Sequence, residues 1–159
     1  MTTYVGIDPG RHGAFAILDE SGDLESVVDL PTVGAEPVAA DVAALLTAID
    51  DSSRLFVALE EPFVMTPRAS LLTQGIGYGI LLGVVGALGC RHVRIPPKQW
   101  KASCGIEMGG HLSQAEKKQL SLDRATELWP HSAHNWSRKK DDGRAEAAMI
   151  GLCGLRHDL

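Results

Sequence analysis

The stretch TYVGIDPGRHGAFAIL, residues 3–18, places an acid and a glycine-rich turn between two apolar runs. The first run ends at Asp8, and Pro9, Gly10 and Gly13 follow before the second run begins. Apolar runs of this length, bounded by turn residues, predict two β-strands joined by a tight connection. Packing alone does not favour a lone carboxylate at the end of a buried strand, so we expect Asp8 to serve a chemical purpose.

The rest of the chain continues this pattern into an α/β fold. Further strands are predicted after the first pair, and the complete set covers residues 4–8, 13–18, 24–30, 55–59 and 92–95. Helical spacing of apolar residues predicts helices over 38–49, 69–88, 113–128 and 143–155, the third opened by a capping box at Ser113 and Glu116. Short turns favour an antiparallel meander for the first three strands, whereas intervening helices favour parallel pairing for the last two. We therefore predict a mixed five-stranded sheet with helices on both faces.

Length and composition point to one domain. The chain has 159 residues, of which 45% are apolar and 22% charged, and this is enough to bury a core. We predict a single domain over residues 1–159. The cysteines, Cys90, Cys104 and Cys153, are odd in number and widely spaced, so we predict reduced core thiols. The N-terminal stretch has no basic segment followed by a long apolar run, so we expect a cytoplasmic protein.

The segment 69–90 contains no charged side chain and is long enough to cross a membrane. It also carries six glycines and several polar residues, and it lies between two predicted strands, so we expect no membrane insertion. We predict a buried helix instead. Gly75, Gly79 and Gly83 are four residues apart and would form a smooth stripe against a neighbouring helix or a second subunit.

Acids from three separate segments are the candidate site. Asp8 and Glu60 each end a predicted strand, and they would stand side by side if these strands are parallel neighbours. Asp142 and Glu146 share one face of the last helix, although Asp141 or Asp142 could instead be its N-cap and Glu146 an exposed helix residue. Such oxygen ligands suit Mg²⁺ or Mn²⁺, and two ions about 4 Å apart can promote phosphodiester hydrolysis. Gly10 and Gly13 would then keep the turn slim enough for a phosphate backbone to approach.

The net charge of −5 does not indicate nucleic-acid binding, so such a function would depend on local basic clusters. Two clusters combine Lys or Arg with tryptophan, at residues 90–101 and 136–144. Solvated loops with a tryptophan packed beneath would give the same pattern.

Four segments together resemble the RuvC-type Holliday junction resolvases, especially the compact phage forms. They are GIDPGRHGAFAIL (6–18), VALEEPF (57–63), PPKQWK (96–101) and DDGRAEAAMIG (141–151). The resemblance covers nearly the whole chain. It implies a ribonuclease H-like fold, a homodimer, and cutting of four-way DNA junctions by paired symmetric nicks. Mg²⁺, replaceable by Mn²⁺, would support in-line attack by an activated water, leaving 5′-phosphate and 3′-hydroxyl ends.

The resemblance also assigns roles to individual residues. Asp8 matches the ligand that bridges two metal ions, and Glu60 matches the carboxylate of the fourth strand. Glu146 lies where the family usually has an aspartate. The family commonly has an acid or histidine three residues earlier, where this chain has Gly143, so we assign that role to Asp142.

Basic and aromatic residues complete the predicted site. Lys101 resembles the basic residue that supports the scissile phosphate, and Lys98 is the second candidate for that role. Phe63 matches an aromatic that wedges into the junction centre, although ordinary core packing would also explain this residue. The residues predicted to contact DNA are Phe63, Arg68, Lys98, Arg138, Lys139, Lys140 and Arg144.

Three other functions would fit parts of this sequence pattern. The segment 6–18 also resembles the first phosphate loop of sugar-kinase and actin-like ATPases, but 159 residues leave no room for the second lobe that encloses a nucleotide, so no nucleotide cofactor is expected. A junction-binding protein without catalysis is the alternative from a different class. A nuclease acting on other branched DNA or on RNA–DNA hybrids would use the same chemistry.

Overall fold

A mixed five-stranded sheet forms the centre of the molecule, whose computed structural model describes residues 1–63, 68–107 and 109–159. Its strands are β1 (Thr3–Asp8), β2 (Ala14–Leu18), β3 (Leu24–Asp29), β6 (Leu55–Glu60) and β7 (Arg91–Ile95). The order is β3-β2-β1-β6-β7. β1, β2 and β3 pair antiparallel, whereas β6 is parallel to both β1 and β7. The predicted meander with two added parallel strands is confirmed.

Five helices cover the two faces of this sheet. They are α1 (Ala39–Ile49), α2 (Arg68–Ala87), α3 (Pro97–Ser103), α4 (Gln114–Leu128) and α5 (Asp142–Asp158). Side chains alternate along β1: Tyr4 joins a core with residues of α3, α4 and α5, whereas Val5 and Ile7 join a second core with α1 and α2. The prediction of helices on both faces is therefore confirmed.

Helix α5 packs directly on the centre of the sheet through glycine. A Cβ atom on Gly6 would lie 2.0 Å from the carbonyl oxygen of Ala147, so only glycine permits this contact. α5 begins at the turn after β1, and near its end the Tyr4 hydroxyl donates to Asp158 at 3.0 Å. The helix therefore runs antiparallel to β1, and its first turns lie beside the strand end that carries Asp8.

The predicted burial of α2 does not hold within one chain. Only its inner side packs on the sheet and α1, with Leu81 and Val85 buried, because the sheet covers one side of a helix. Ser70–Ala87 is long and apolar enough to cross a membrane, with a mean hydropathy of 1.4, yet only 17% of it is buried. A Cβ on any glycine of the stripe formed by Gly75, Gly79 and Gly83 would meet nothing within 4 Å. The stripe faces outward and is uncovered in one subunit.

Several local features complete the comparison with the sequence. The short strands β4 (Thr32–Val33) and β5 (Glu36–Pro37) form a separate hairpin that was not predicted, and α3 was also missed. The capping box at the start of α4 is confirmed, with Ser113 and Glu116 exchanging hydrogen bonds. All three cysteines are buried and free, as predicted.

Candidate active site

Asp8 and Glu60 lie at the same edge of the sheet. β1 and β6 pair in parallel from Thr3 with Leu55 to Ile7 with Leu59, so the next residue of each strand is an acid. The expected adjacency of the two strands is confirmed. Parallel strands place their carboxyl ends together, which is where open α/β sheets bind ligands.

The turn after β1 holds the Asp8 side chain in place. The amide of Gly10 donates to Oδ1 of Asp8 at 2.9 Å. A Cβ on Gly13 would lie 2.2 Å from the carbonyl oxygen of Asp8, so glycine is required there by the fold of the turn itself. This intramolecular contact is by itself sufficient to explain Gly13.

The start of α5 separates the roles of its two aspartates. Asp141 is the N-cap residue without a side-chain capping bond, and its carboxylate accepts two hydrogen bonds of 2.9 Å from Arg138. These bonds hold the pKa of Asp141 below its usual value. Asp142 instead pairs with Lys118 of α4 at 2.8 Å. Of the two, Asp142 belongs to the acidic site, because its charge acts on Asp8 and Glu146.

Gly143 stands where the resembled family commonly has a metal-binding side chain, and the structure explains the glycine. A Cβ there would lie 2.1 Å from the carbonyl oxygen of His12 and 2.9 Å from Oδ2 of Asp8. Any side chain would force α5 away from the turn after β1. The close packing of this turn therefore excludes a ligand at position 143.

Glu60 and Glu146 are each held by a neighbour that sequence reasoning missed. The indole nitrogen of the fully buried Trp100 donates to Oε1 of Glu60 at 2.7 Å. The Ser121 hydroxyl donates to Oε1 of Glu146 at 3.1 Å. The ammonium of Lys101 lies 5.1 Å from the centre of the Trp100 ring, and its charge acts on both glutamates.

The sequence carries weak signals for these missed residues. Trp100 lies inside the PPKQWK segment beside Lys101, where a buried indole nitrogen needs an acceptor. Lys118 and Ser121 are three residues apart and so share one side of α4. Nothing in their spacing indicates that this side faces α5.

Burial and mutual repulsion make the acids hard to ionise. Burial raises the pKa of Asp8 well above its usual value, and the charges of Glu60 and Glu146 raise it further. Burial also raises the pKa of Glu60 to about 7, against the opposing effect of the Trp100 hydrogen bond. The pKa of Glu146 is raised, again mainly by burial, although Lys101 opposes the shift. A cation among these carboxylates would remove the repulsion.

The donor set fits a hard divalent cation in its chemistry. Asp8, Glu60, Asp142 and Glu146 supply oxygen atoms only, which Mg²⁺ and Mn²⁺ prefer. Within residues 1–63, 68–107 and 109–159, no three acidic, histidine or cysteine side chains converge closely enough to ligate one ion as they stand. The hydrogen bonds to Trp100, Ser121 and Lys118 hold three of the carboxylates on other partners. Side-chain rotation would have to accompany metal binding.

Solved structures share this architecture. Thermus thermophilus RuvC superposes with a TM-score of 0.66 at 18% sequence identity, over 99% of this chain and 97% of that chain. T. thermophilus RuvC in complex with Holliday junction substrate gives 0.64 and 19%, over 96% and 92%. Fowlpox virus resolvase with its substrate Holliday junction DNA gives 0.63 and 18%, over 99% of each chain. The chain has the fold of the RuvC-type Holliday junction resolvases. No family model matches the sequence, and a search of curated proteins finds no match.

In this RuvC-like chain, Phe63 lies at a cleft beside the acids. Its side chain is 63% exposed, so core packing does not account for it. The cleft has a volume of about 440 Å³ and is lined by Asp8, Glu60, Phe63 and residues of α2. Phe63 thus lies at the wall of the cleft that contains Asp8 and Glu60.

The basic residues predicted to contact DNA fall into two groups in the RuvC-like fold. Lys98, Lys139 and Lys140 are exposed. Arg144 donates to Asp29 at 2.7 and 2.8 Å and to the carbonyl oxygen of Asn135 at 3.0 Å, so all three of its nitrogens are used within the chain. Arg138 is paired with Asp141, as described above. The side chain of Arg68 lies outside the described residues.

The raised pKa values predict how stability depends on pH without metal. The folded chain raises the pKa of Glu60 from 4.5 to about 7 and so binds its proton more tightly than the unfolded chain does. This contribution is complete below the unfolded pKa and is lost as the pH rises through the folded one. In a metal chelator, we expect the Tm of the wild type to fall between about pH 5 and about pH 8. The decrease in Tm over this range should be smaller in Glu60→Gln, by roughly a few degrees.

Thermal melts across this pH range test the prediction, with Glu25→Gln as a control at an exposed acid on β3. Identical pH profiles for the wild type and Glu60→Gln would contradict the assigned burial of Glu60.

Proposed function

We propose that this protein is a Mg²⁺-dependent endonuclease that resolves four-way DNA junctions by paired symmetric nicks. The observation that carries the proposal is the gathering of Asp8, Glu60, Asp142 and Glu146 from three segments at one edge of the sheet. The shared fold supports it, since two of the similar structures, T. thermophilus RuvC and the fowlpox virus resolvase, are complexes with Holliday junction DNA.

In this mechanism the four carboxylates would hold two Mg²⁺ ions, with Mn²⁺ as a substitute. The bound ions would supply the positive charge that activates water and offsets charge on the leaving oxygen. The charges of Glu60, Glu146 and Asp142 all act on Asp8, which suits a shared ligand. Cleavage would leave a 5′-phosphate and a 3′-hydroxyl.

Neighbouring side chains orient and balance the acids. Trp100 holds one oxygen of Glu60 by its hydrogen bond, which restricts the rotation of that carboxylate. Lys101 adds positive charge beside Glu60 and Glu146, where it would oppose charge that develops on the phosphate. Lys118 pairs with Asp142 and keeps this acid at the site in the absence of metal.

A substrate panel tests the proposed function. The purified protein is incubated with Mg²⁺ and labelled four-way junction, flap, linear duplex and RNA–DNA hybrid. We expect symmetric nicks in the junction and much slower cutting of the other substrates. Preferred cutting of a flap or a hybrid would support the nuclease chemistry and overturn the junction assignment.

A junction-binding protein without catalysis is the second candidate. Two observations favour it: glycine occupies position 143, and no three donors converge within the described residues. Tight junction binding with no cleavage in either Mg²⁺ or Mn²⁺ would support this alternative.

We further propose that α2 forms the interface of a homodimer. Leu72 is 71% exposed and Ile76 44% exposed, and the uncovered glycines Gly75, Gly79 and Gly83 lie on the same helix. A two-fold dimer would present two active sites to one junction, and such symmetric pairs are the commonest oligomers. A second copy would cover the apolar surface that the sheet leaves exposed.

Substituting one glycine of the stripe tests the dimer. We expect Gly79→Glu to remain folded but monomeric, because a side chain at position 79 meets nothing within 4 Å in one subunit and glycine is a poor helix former. Sedimentation at micromolar concentration measures the mass, and Ala48→Glu, on the exposed part of α1, is the control. A dimer that persists in Gly79→Glu would place the interface elsewhere.

We propose that the protein acts on this DNA substrate in the cytoplasm of a bacterial or phage-infected cell. The inner side of α2 packs within a RuvC-like fold, which suits a protein that works in water.

A further inference from the structure

A second, smaller recess lies on the other side of the turn between β1 and β2. Its volume is about 250 Å³, and three parts of the chain form its wall: this turn, the end of β3 with the residues after it, and the segment before α5 together with the first turn of that helix. Its charged and histidine residues are Arg11, His12, Asp29, Arg138, Lys140, Asp141 and Arg144. Four cations thus face two carboxylates, in a chain whose net charge is −5.

The ion pairs of this recess build a fixed wall. Arg144 joins α5 to Asp29 of β3 through two hydrogen bonds, and Arg138 joins Asp141 through two more. Paired arginine and carboxylate groups of this kind have a defined geometry. In the described residues, neither Arg11 nor Lys140 forms an ion pair, and Nη1 of Arg138 takes no partner. The recess therefore offers uncommitted donors on a rigid frame.

Arg11 connects this recess to the acidic site. It lines both the smaller recess and the larger cleft that contains Asp8 and Glu60. The turn with Asp8 at its start is thus the ridge between the two cavities. A DNA strand whose phosphate lies at Asp8 would place a neighbouring phosphate over this ridge.

We propose that the recess binds a backbone phosphate of the cleaved DNA strand, adjacent to the scissile phosphate, through Arg11, Lys140 and the free edge of Arg138. The proposal rests on the proposed nuclease function and adds a binding site to it. It assigns Lys140 to the recess and leaves its neighbour Lys139 outside it, since Lys139 does not line the cavity. Phosphate contacts of this kind position the strand without reading its sequence.

Variants of two cations that line the recess, and of one cation outside it, provide the test. Binding to a four-way junction and to linear duplex is measured over a range of KCl concentrations, in an Asp8→Asn background that should not cut. We expect Lys140→Ala and Arg11→Ala each to weaken binding by about tenfold at low salt and to reduce the salt slope by about 0.9. Arg54→Ala, at an exposed cation just before β6 and at the opposite end of that strand from Glu60, is the control and should stay within about twofold of the background. Thermal melts show that each variant is folded.

Substrate analogues then locate the phosphate. Junctions carry a neutral methylphosphonate at single positions on either side of the scissile bond. We expect one position at which the analogue weakens binding of the Asp8→Asn protein but not of the same protein with Lys140→Ala. Equal effects of Arg54→Ala and Lys140→Ala, or a methylphosphonate penalty that Lys140→Ala leaves unchanged at every position, would overturn the proposal.

The duplex arm separates this proposal from the proposed function. Equal affinity for junction and duplex would overturn the junction assignment, while the difference in duplex affinity between Lys140→Ala and Arg54→Ala would still decide the recess. No measurable binding to either DNA would overturn both.

Discussion

Replacing Asp8 with asparagine should abolish DNA cleavage and leave junction binding intact. Asp8 is the most central of the acids, since the charges of Glu60, Glu146 and Asp142 all act on it. Asparagine keeps the size of the side chain but removes the charge that a shared metal ligand needs. The loss should exceed the roughly 10- to 100-fold cost of removing an outer partner of a metal ligand. Glu60→Gln should have a similar effect.

Cleavage rates and junction affinities are measured on the same preparations. Asp41→Asn, at an exposed acid in the first turn of α1, is the control and should cut at the wild-type rate. Asp8→Asn and Glu60→Gln should also be more stable than the wild type in a metal chelator at about pH 8, because each removes a buried charge. Wild-type cutting by Asp8→Asn would refute the assignment of the active site.

The acids of α5 should differ in their importance, with Glu146→Gln the more damaging change. Glu146 lies one turn inside the helix, receives a hydrogen bond from Ser121, and acts electrostatically on both Asp8 and Glu60. Asp142 begins the helix and is already paired with Lys118. We expect Glu146→Gln to lower cleavage by more than about 100-fold. The cleavage activity of Asp142→Asn should fall steeply at low Mg²⁺ and recover partly at high Mg²⁺ or in Mn²⁺.

Titrations of cleavage rate against Mg²⁺ and Mn²⁺ distinguish the two variants. Asp123→Asn on the exposed side of α4 is the control and should follow the wild-type curve. Full activity in Glu146→Gln together with loss of activity in Asp142→Asn would reverse the ranking.

Individual elements show which parts of the site could be predicted. The acids at the ends of β1 and β6 were predicted because an apolar strand followed by an acid is a local pattern, and the pairing of parallel strands follows from the order of elements. The choice between Asp141 and Asp142 was not predictable. It depends on whether Arg138 or Lys118 reaches each carboxylate, and these partners come from the segment before α5 and from α4.

The helix α2 likewise shows which part of the fold the sequence could not predict. Its position and approximate length follow from composition, but a run without charges does not reveal how much of it the sheet covers. Only the inner side packs, so the glycine stripe that was expected to be buried faces outward.

The sequence by itself determined the strands, the helices, the capping box of α4 and the strand-end acids, because hydrophobic period and turn chemistry act between residues close in the chain. Only the tertiary structure decided that Trp100 holds Glu60, that Lys118 holds Asp142, and that no side chain fits at position 143. The exclusion at position 143 depends on how closely α5 approaches the sheet, a distance that the contact between Gly6 and Ala147 sets. Contacts between distant segments depend on close packing in three dimensions, which no local pattern records.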